Sequence, residues 1–153
     1  MSTNWPDSAV MMTLSAIAYQ SDIPGQLLNP NFATAGDWSL VWGPMADDYG
    51  NLAYVAKSAS TGRYALTIRG SEATFSLATL QNWFNDLDVL VQVPWIYFPN
   101  VEGCMISNGA FIQASHLTTA SWSGQTLAKF LTQDVPVGAT LMVTGHSLGG
   151  NLA

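Results

Sequence analysis

Apolar residues recur along this chain in two rhythms. In Ser8–Gln20, the residues Val10, Met11, Leu14, Ile17 and Ala18 form a stripe at helical spacing. Asp7 or Ser8 stands where a helix cap belongs, and Ile23-Pro24-Gly25 stops the run. A loop rich in Pro, Asn and Gly continues to Asp37. The rhythm then shortens. "WSLVW" (Trp38–Trp42) is short, apolar and aromatic, and "NLAYVAKSA" and "RYALTIRG" alternate. Leu52, Tyr54 and Ala56 share one face of the first, and Tyr64, Leu66 and Ile68 share one face of the second. Ser60-Thr61-Gly62 between them reads as a hairpin turn.

The helical rhythm returns in "LATLQNWFNDLDVLV", where Leu77, Leu80, Phe84, Leu87 and Val91 form the stripe; Pro94 and Pro99 then break the chain into irregular structure. A longer helix is expected from Ala110 to Thr132, with Ala110, Ala114, Leu117, Ser121, Gly124, Leu127 and Leu131 on one side. The small residues in that stripe suit close packing on a sheet. Thr140–Thr144, "TLMVT", is a short apolar strand running straight into Gly145. Strands alternating with helices in this order predict an α/β layer fold.

The chemistry sits where that last strand ends. Gly145-His146-Ser147-Leu148-Gly149 fits G-x-S-x-G, preceded by a strand and followed by a helical pattern. The spacing has a mechanical reason. A serine on a very sharp strand-to-helix turn holds its hydroxyl above the sheet, and glycines two residues to either side let the backbone cross closely. The turn also puts the serine at a helix N-terminus, where N–H groups favour a developing negative charge. One N–H donor for such an oxyanion is that of Leu148, the residue after the serine.

Composition narrows the partners. Of 153 residues, 48% are hydrophobic and only 9% charged, against ~25% charged in typical soluble domains. The length suits one domain with a sizeable core. The polar surface must come from Ser, Thr, Asn, Gln and Gly, which leaves it tolerant of apolar partners. The net charge is −6, and Lys57, Arg63, Arg69 and Lys129 are the only cations. Four scattered cations make no basic patch, so nucleic acid is excluded as a partner. Cys104 stands alone, so no internal disulfide forms. No N-terminal signal-peptide pattern and no membrane-length apolar run is visible, so the chain reads as soluble, with its compartment undetermined. Nothing calls for a metal or a cofactor.

Four segments in order resemble the class 3 lipases, the fungal-type triacylglycerol lipase family of the α/β-hydrolase fold. They are "YALTIRGS", with its Arg-Gly-Ser step; "NWFNDLDV"; "ISNGAFIQAS", with a Gly-Phe-containing helix start; and "VTGHSLGGNLA". The resemblance covers about Tyr64 to Ala153, and residues 1–63 fit only loosely. There are departures. Ser107 stands where the family often has a histidine, Ala110 intervenes between Gly109 and Phe111, and the gap from Ser71 to Asn82 is longer than in short fungal forms.

The resemblance implies an α/β-hydrolase-like sheet with flanking helices. It implies a carboxylic ester hydrolase acting on acylglycerol-type or other esters through a Ser147 acyl-enzyme. It makes Ser71 the second oxyanion donor, although "RGSE" on its own is also an ordinary strand-end turn. It places a lid over the serine in Leu77–Val91, with Leu80, Trp83, Phe84 and Leu87 facing the cleft or a lipid surface; a helix packed permanently on the core has the same stripe. Asp86 would tie that segment down, and Trp95, Ile96, Tyr97 and Phe98 suit an apolar acyl-binding rim or core.

In this fold the chain order is Ser, then Asp or Glu, then His. Six residues follow Ser147, so the acid and base are expected beyond Ala153. Residues 1–153 would then be the N-terminal part of a single domain cut short just after the elbow, and inactive alone. His146 is expected to pack beside the sheet and His116 to lie on a surface; neither is placed to serve as base. The alternative is a catalytically incomplete hydrolase-fold module that binds lipid or a partner protein, or dimerises through an exposed sheet edge.

Overall fold

A computed structural model of the chain describes residues 5–46, 51–70, 91–94 and 103–153. Eight strands occur among them: β1 (Trp38–Ala46), β2 (Leu52–Ser58), β3 (Tyr64–Arg69), β4 (Gln92–Pro94), β5 (Met105–Ser107), β6 (Ser121–Trp122), β7 (Gln125–Thr126) and β8 (Leu141–Gly145). The helices are α1 (Asp7–Ile17), α2 (Ile23–Leu27), α3 (Asn108–Thr119), α4 (Leu127–Gln133) and α5 (Leu148–Leu152). The main sheet has the order β1-β2-β3-β8. The first three strands are antiparallel neighbours, and β8 runs parallel to β3. β4 pairs with β5, and β6 with β7, in two small hairpin-like ribbons.

Helices cover both faces of this sheet. Val10, Leu14, Ile17 and Ala18 of the first helical segment join Ile23 and Leu27 against Trp38, Tyr54, Ala56 and Ala65. On the opposite face, Leu117 of α3 and Leu127 and Phe130 of α4 pack on Trp42, Val55, Tyr64, Leu66 and Ile68. The two alternating faces read from the sequence are therefore both core faces, and they point to opposite layers. A strand buried on both sides reads as nearly continuous apolar sequence, as "YALTI" does. Leu14, Ile17 and Leu27 are almost fully buried, each worth about 1.5–3 kcal/mol of transfer free energy.

Three local expectations are corrected. Neither Asp7 nor Ser8 caps α1: Pro6 occupies the cap position and no side chain bonds the free N–H groups. Asp7 instead accepts from Arg63 Nη1 at 2.8 Å, tying the start of α1 to the start of β3. Both side chains are too exposed for that pair to contribute more than about 1 kcal/mol. Secondly, the helix expected over Ala110–Thr132 is two helices. Ala120 leaves helical geometry, Ser123 and Gly124 take positive φ (50° and 81°), and the β6–β7 ribbon intervenes. Ser107 caps α3 by accepting from the Ala110 N–H, and Thr126 caps α4 by accepting from Lys129 N–H. The apolar spacing ran on across the break because Leu117 and Leu127 both face the same sheet layer. Thirdly, β1 runs on to Ala46, with register shifts around Trp42 and a cis Gly43-Pro44 peptide.

The β2–β3 turn is locked by Asp37. Its carboxylate accepts from Ser60 N–H (2.9 Å), Ser60 Oγ (2.9 Å) and Ser58 Oγ. Burial pushes this carboxyl up, but the bonds from Ser58 and Ser60 and the nearby Arg63 charge outweigh it and hold Asp37 below its ordinary value. In the first core layer Tyr54 Oη donates to Leu14 O at 2.7 Å. Burial pushes that phenol strongly up. Among the described residues, no helix is long and apolar enough to cross a membrane.

Candidate active site

The polypeptide turns abruptly at the end of β8. Gly145 closes the strand, Ser147 takes φ 56° and ψ −124°, and α5 begins at Leu148. A side-chain-bearing residue rarely holds positive φ, at a cost of order 1–3 kcal/mol, and it persists only where the surroundings fix it. The fixing contacts are visible. Gly149 N–H donates to His146 O and Gly150 N–H to Ser147 O, both at 3.0 Å.

The two glycines of the motif are needed for space. A Cβ on Gly145 would collide with Gly149 O, and a Cβ on Gly149 would collide with Ile68 O. The first contact lets α5 fold back over the end of β8, and the second lets it press on the end of β3. Gly150 is less constrained, since a Cβ there would stand 3.4 Å from Gly145 O. The spacing read from the sequence thus has a steric cause at each glycine.

Ser147 is exposed, and among the described residues no side chain hydrogen-bonds its hydroxyl. Ile68 stands directly across the parallel ladder from Gly145, so Gly70, buried just past β3, leads away beside the elbow. The start of α5, at Gly149, lies against the end of β3. Ser71 itself lies outside the described residues, as do the lid candidates Leu80, Trp83, Phe84 and Leu87, the carboxylate Asp86, and the aromatic run Trp95–Phe98.

The first helical segment also reaches the elbow, which sequence reasoning missed. Ser15 Oγ and Thr144 Oγ1 share a hydrogen bond at 2.8 Å, and Thr144 Oγ1 donates to Met11 O at 3.3 Å. One residue past Gly145, His146 turns its ring to Tyr19. Tyr19 Oη and His146 Nδ1 share a hydrogen bond at 3.1 Å, and the rings meet edge to face with centroids 5.7 Å apart. His146 is exposed and engages this helix-end tyrosine, rather than packing beside the sheet as expected. His116 is half-buried on α3. A groove of about 650 Å³ runs along α1 and β8 to the elbow, lined by Met11, Met12, Ala16, Tyr19, Thr144 and His146 among others. Beside it β8 is the last strand of the sheet among the described residues, and Leu141 and Val143 are exposed on it.

The class 3 lipase family model matches residues 65–153, which takes in β3, the crossover helices and the whole elbow. The chain belongs to the class 3 lipase family. Solved structures extend the likeness to the N-terminal part. A fungal lipase–inhibitor complex, described as a model for interfacial activation, superposes with TM-score 0.64 at 25% identity. A triacylglycerol lipase whose catalytic centre is formed by a serine protease triad superposes with TM-score 0.63 at 26% identity. The triacylglyceride lipase of Rhizomucor miehei gives TM-score 0.62 at 25% identity. Each likeness covers 95% of this chain and 51% of the other. This class 3 lipase chain therefore has the α/β-hydrolase type of fold and spans about half the length of the lipases it matches. No curated protein sequence matches it.

Proposed function

We propose that this chain is the nucleophile-bearing part of a lipase-type carboxylic ester hydrolase, in which Ser147 forms the acyl-enzyme. The observation that carries the reading is the positive φ of Ser147 between β8 and α5, a strained presentation of an exposed hydroxyl that packing alone has no reason to keep. In the proposed reaction Ser147 Oγ attacks the ester carbonyl carbon as a base takes its proton. The carbonyl oxygen becomes an oxyanion, and the alcohol leaves with a proton returned by the same base. Leu148 N–H and Ser71 N–H are the donors we assign to the oxyanion, each worth about 2.7–4 kcal/mol in comparable sites.

Neither described histidine supplies the base: His146 is engaged with Tyr19, and His116 lies on α3. We assign the base and its acid to a segment that adds to the sheet along β8, on which Leu141 and Val143 are exposed. That makes residues 1–153 part of one lipase-like domain. Segment 77–91, with Leu80, Trp83, Phe84 and Leu87, is our candidate lid, in transient contact with a lipid surface. Acylglycerol-type esters fit the family and the weakly charged composition.

The test compares hydrolysis of short- and long-chain p-nitrophenyl esters by the 153-residue chain, by the chain extended with the remainder of its lipase domain, and by Ser147→Ala in each. Turnover restored by the extension and abolished by Ser147→Ala is the expected result. Turnover unaffected by Ser147→Ala would sink the proposal. An extended chain that binds ester-bearing vesicles without hydrolysing them would favour the catalytically incomplete binding module.

A further inference from the structure

We infer that Tyr19 is a positioning residue for the elbow, holding His146 and through it the strained backbone that presents Ser147. Only the kinetic arm of the inference rests on the ester-hydrolase reading. A positive φ at Ser147 survives where neighbouring contacts over-determine it. From one side the elbow is braced by backbone: α5 folds over Gly145, and Gly149 presses on Ile68. From the other side the described braces come from α1 and the turn that ends it.

α1 is itself anchored to the sheet along its length. Asp7 pairs with Arg63 near the start of the strands. Leu14 O accepts from the buried Tyr54 Oη in the middle, and Ser15 bonds Thr144 one residue before Gly145. Tyr19 is the last in this series. Its backbone is held by N–H donation to Ala16 O at 3.2 Å, and its ring takes both an edge-to-face contact and a hydrogen bond with His146. His146 O in turn accepts from Gly149 N–H, the first backbone bond that closes the turn around Ser147. The chain of contacts is thus continuous from a helix core to the Ser147 turn: Tyr19 fixes His146, and the His146 carbonyl fixes Gly149.

The test has two arms. In the 153-residue chain, amide hydrogen exchange is measured at Gly149 and Gly150, whose N–H groups bond His146 O and Ser147 O. Ala56 and Leu66 in the β2–β3 ladder serve as controls. Tyr19→Phe keeps the ring and removes the hydrogen bond; Tyr19→Leu removes both. Exchange at Gly149 and Gly150 should speed up about fivefold in Tyr19→Phe, the value of one hydrogen bond, and further in Tyr19→Leu, with the controls unchanged. In the extended, active protein, Tyr19→Phe should lower kcat for a short ester by a similar factor with KM unchanged. Unaltered exchange at the two glycines, or acceleration equal to that of the controls, would overturn the inference. Absence of turnover in the extended wild-type protein would count against the ester-hydrolase reading alone, with the exchange arm still deciding the role of Tyr19.

Discussion

Replacing Ser147 with glycine should stabilise the chain relative to replacing it with alanine, although both remove the hydroxyl. Alanine keeps a Cβ at φ 56°, ψ −124°, so it keeps the strain. Glycine adopts positive φ about as readily as negative. The strain relieved is about 1–3 kcal/mol, and the extra chain entropy that glycine loses on folding returns roughly 0.5–1 kcal/mol of it. Ser147→Gly should therefore exceed Ser147→Ala by about 0.5–2 kcal/mol. Ser147→Ala itself should lie within about 0.5 kcal/mol of the wild type, since the exposed hydroxyl has no described hydrogen bond to lose.

Urea unfolding followed by the fluorescence of the six tryptophans measures this directly. With an m-value of order 2 kcal/mol/M, the midpoints of the two variants should separate by roughly 0.3–1 M at equal slope. Equal midpoints, or a less stable glycine variant, would mean that the Ser147 backbone is not held at positive φ in solution. The elbow, and with it the reason for placing a nucleophile there, would be refuted.

Gly149→Ala should be among the most damaging small substitutions in the chain. Its Cβ meets the Ile68 carbonyl, a backbone atom that cannot rotate away, so the cost should reach or pass the ~1–3 kcal/mol of ordinary overpacking; an unchanged urea midpoint would refute the close approach of α5 to β3. Asp37→Asn should lower stability at neutral pH by about 1–2 kcal/mol, as charge-assisted hydrogen bonds are lost. The folded-state pKa of Asp37 lies below its ordinary 3.8, so the ionised form is the one folding favours. Its contribution is complete above that ordinary value and is lost as the pH falls through the folded value. The stability gap between wild type and variant, followed by urea midpoints across pH, should close in that acid window; a gap independent of pH would refute the Asp37 assignment.

The layer order and the elbow were legible because they rest on signals that short stretches carry whole. Alternation in "YALTIR" and the glycine spacing around Ser147 each follow from local geometry, and the α1 stripe survived for the same reason. What failed was continuity. Leu117 and Leu127 keep helical phase across a break, because both helices pack on one sheet layer. Phase alone cannot show that Ser123 and Gly124 turn the chain between them. The Asp37 lock and the Tyr19–His146 pair were invisible for another reason. They join residues 21 to 127 positions apart, and no local pattern records which hydroxyl will meet which acceptor.

That distinction explains why the family model begins at residue 65 while the structural likeness covers 95% of the chain. From β3 onward the fold makes demands that few residue types meet: a Cβ is forbidden at Gly145 and Gly149, and the residue between them, Ser147, must hold positive φ. Before β3 the demands are looser. α1 must bury a stripe and put hydroxyls near β8, and Leu, Ile, Val or Met satisfy the first as well as Ser or Thr the second. A stretch held by burial can keep its place in space with little kept in letters. The N-terminal helix is then the part of this class 3 lipase chain where the path to the elbow shows only in three dimensions: Ser15 to Thr144, Tyr19 to His146, and His146 to the turn that holds Ser147.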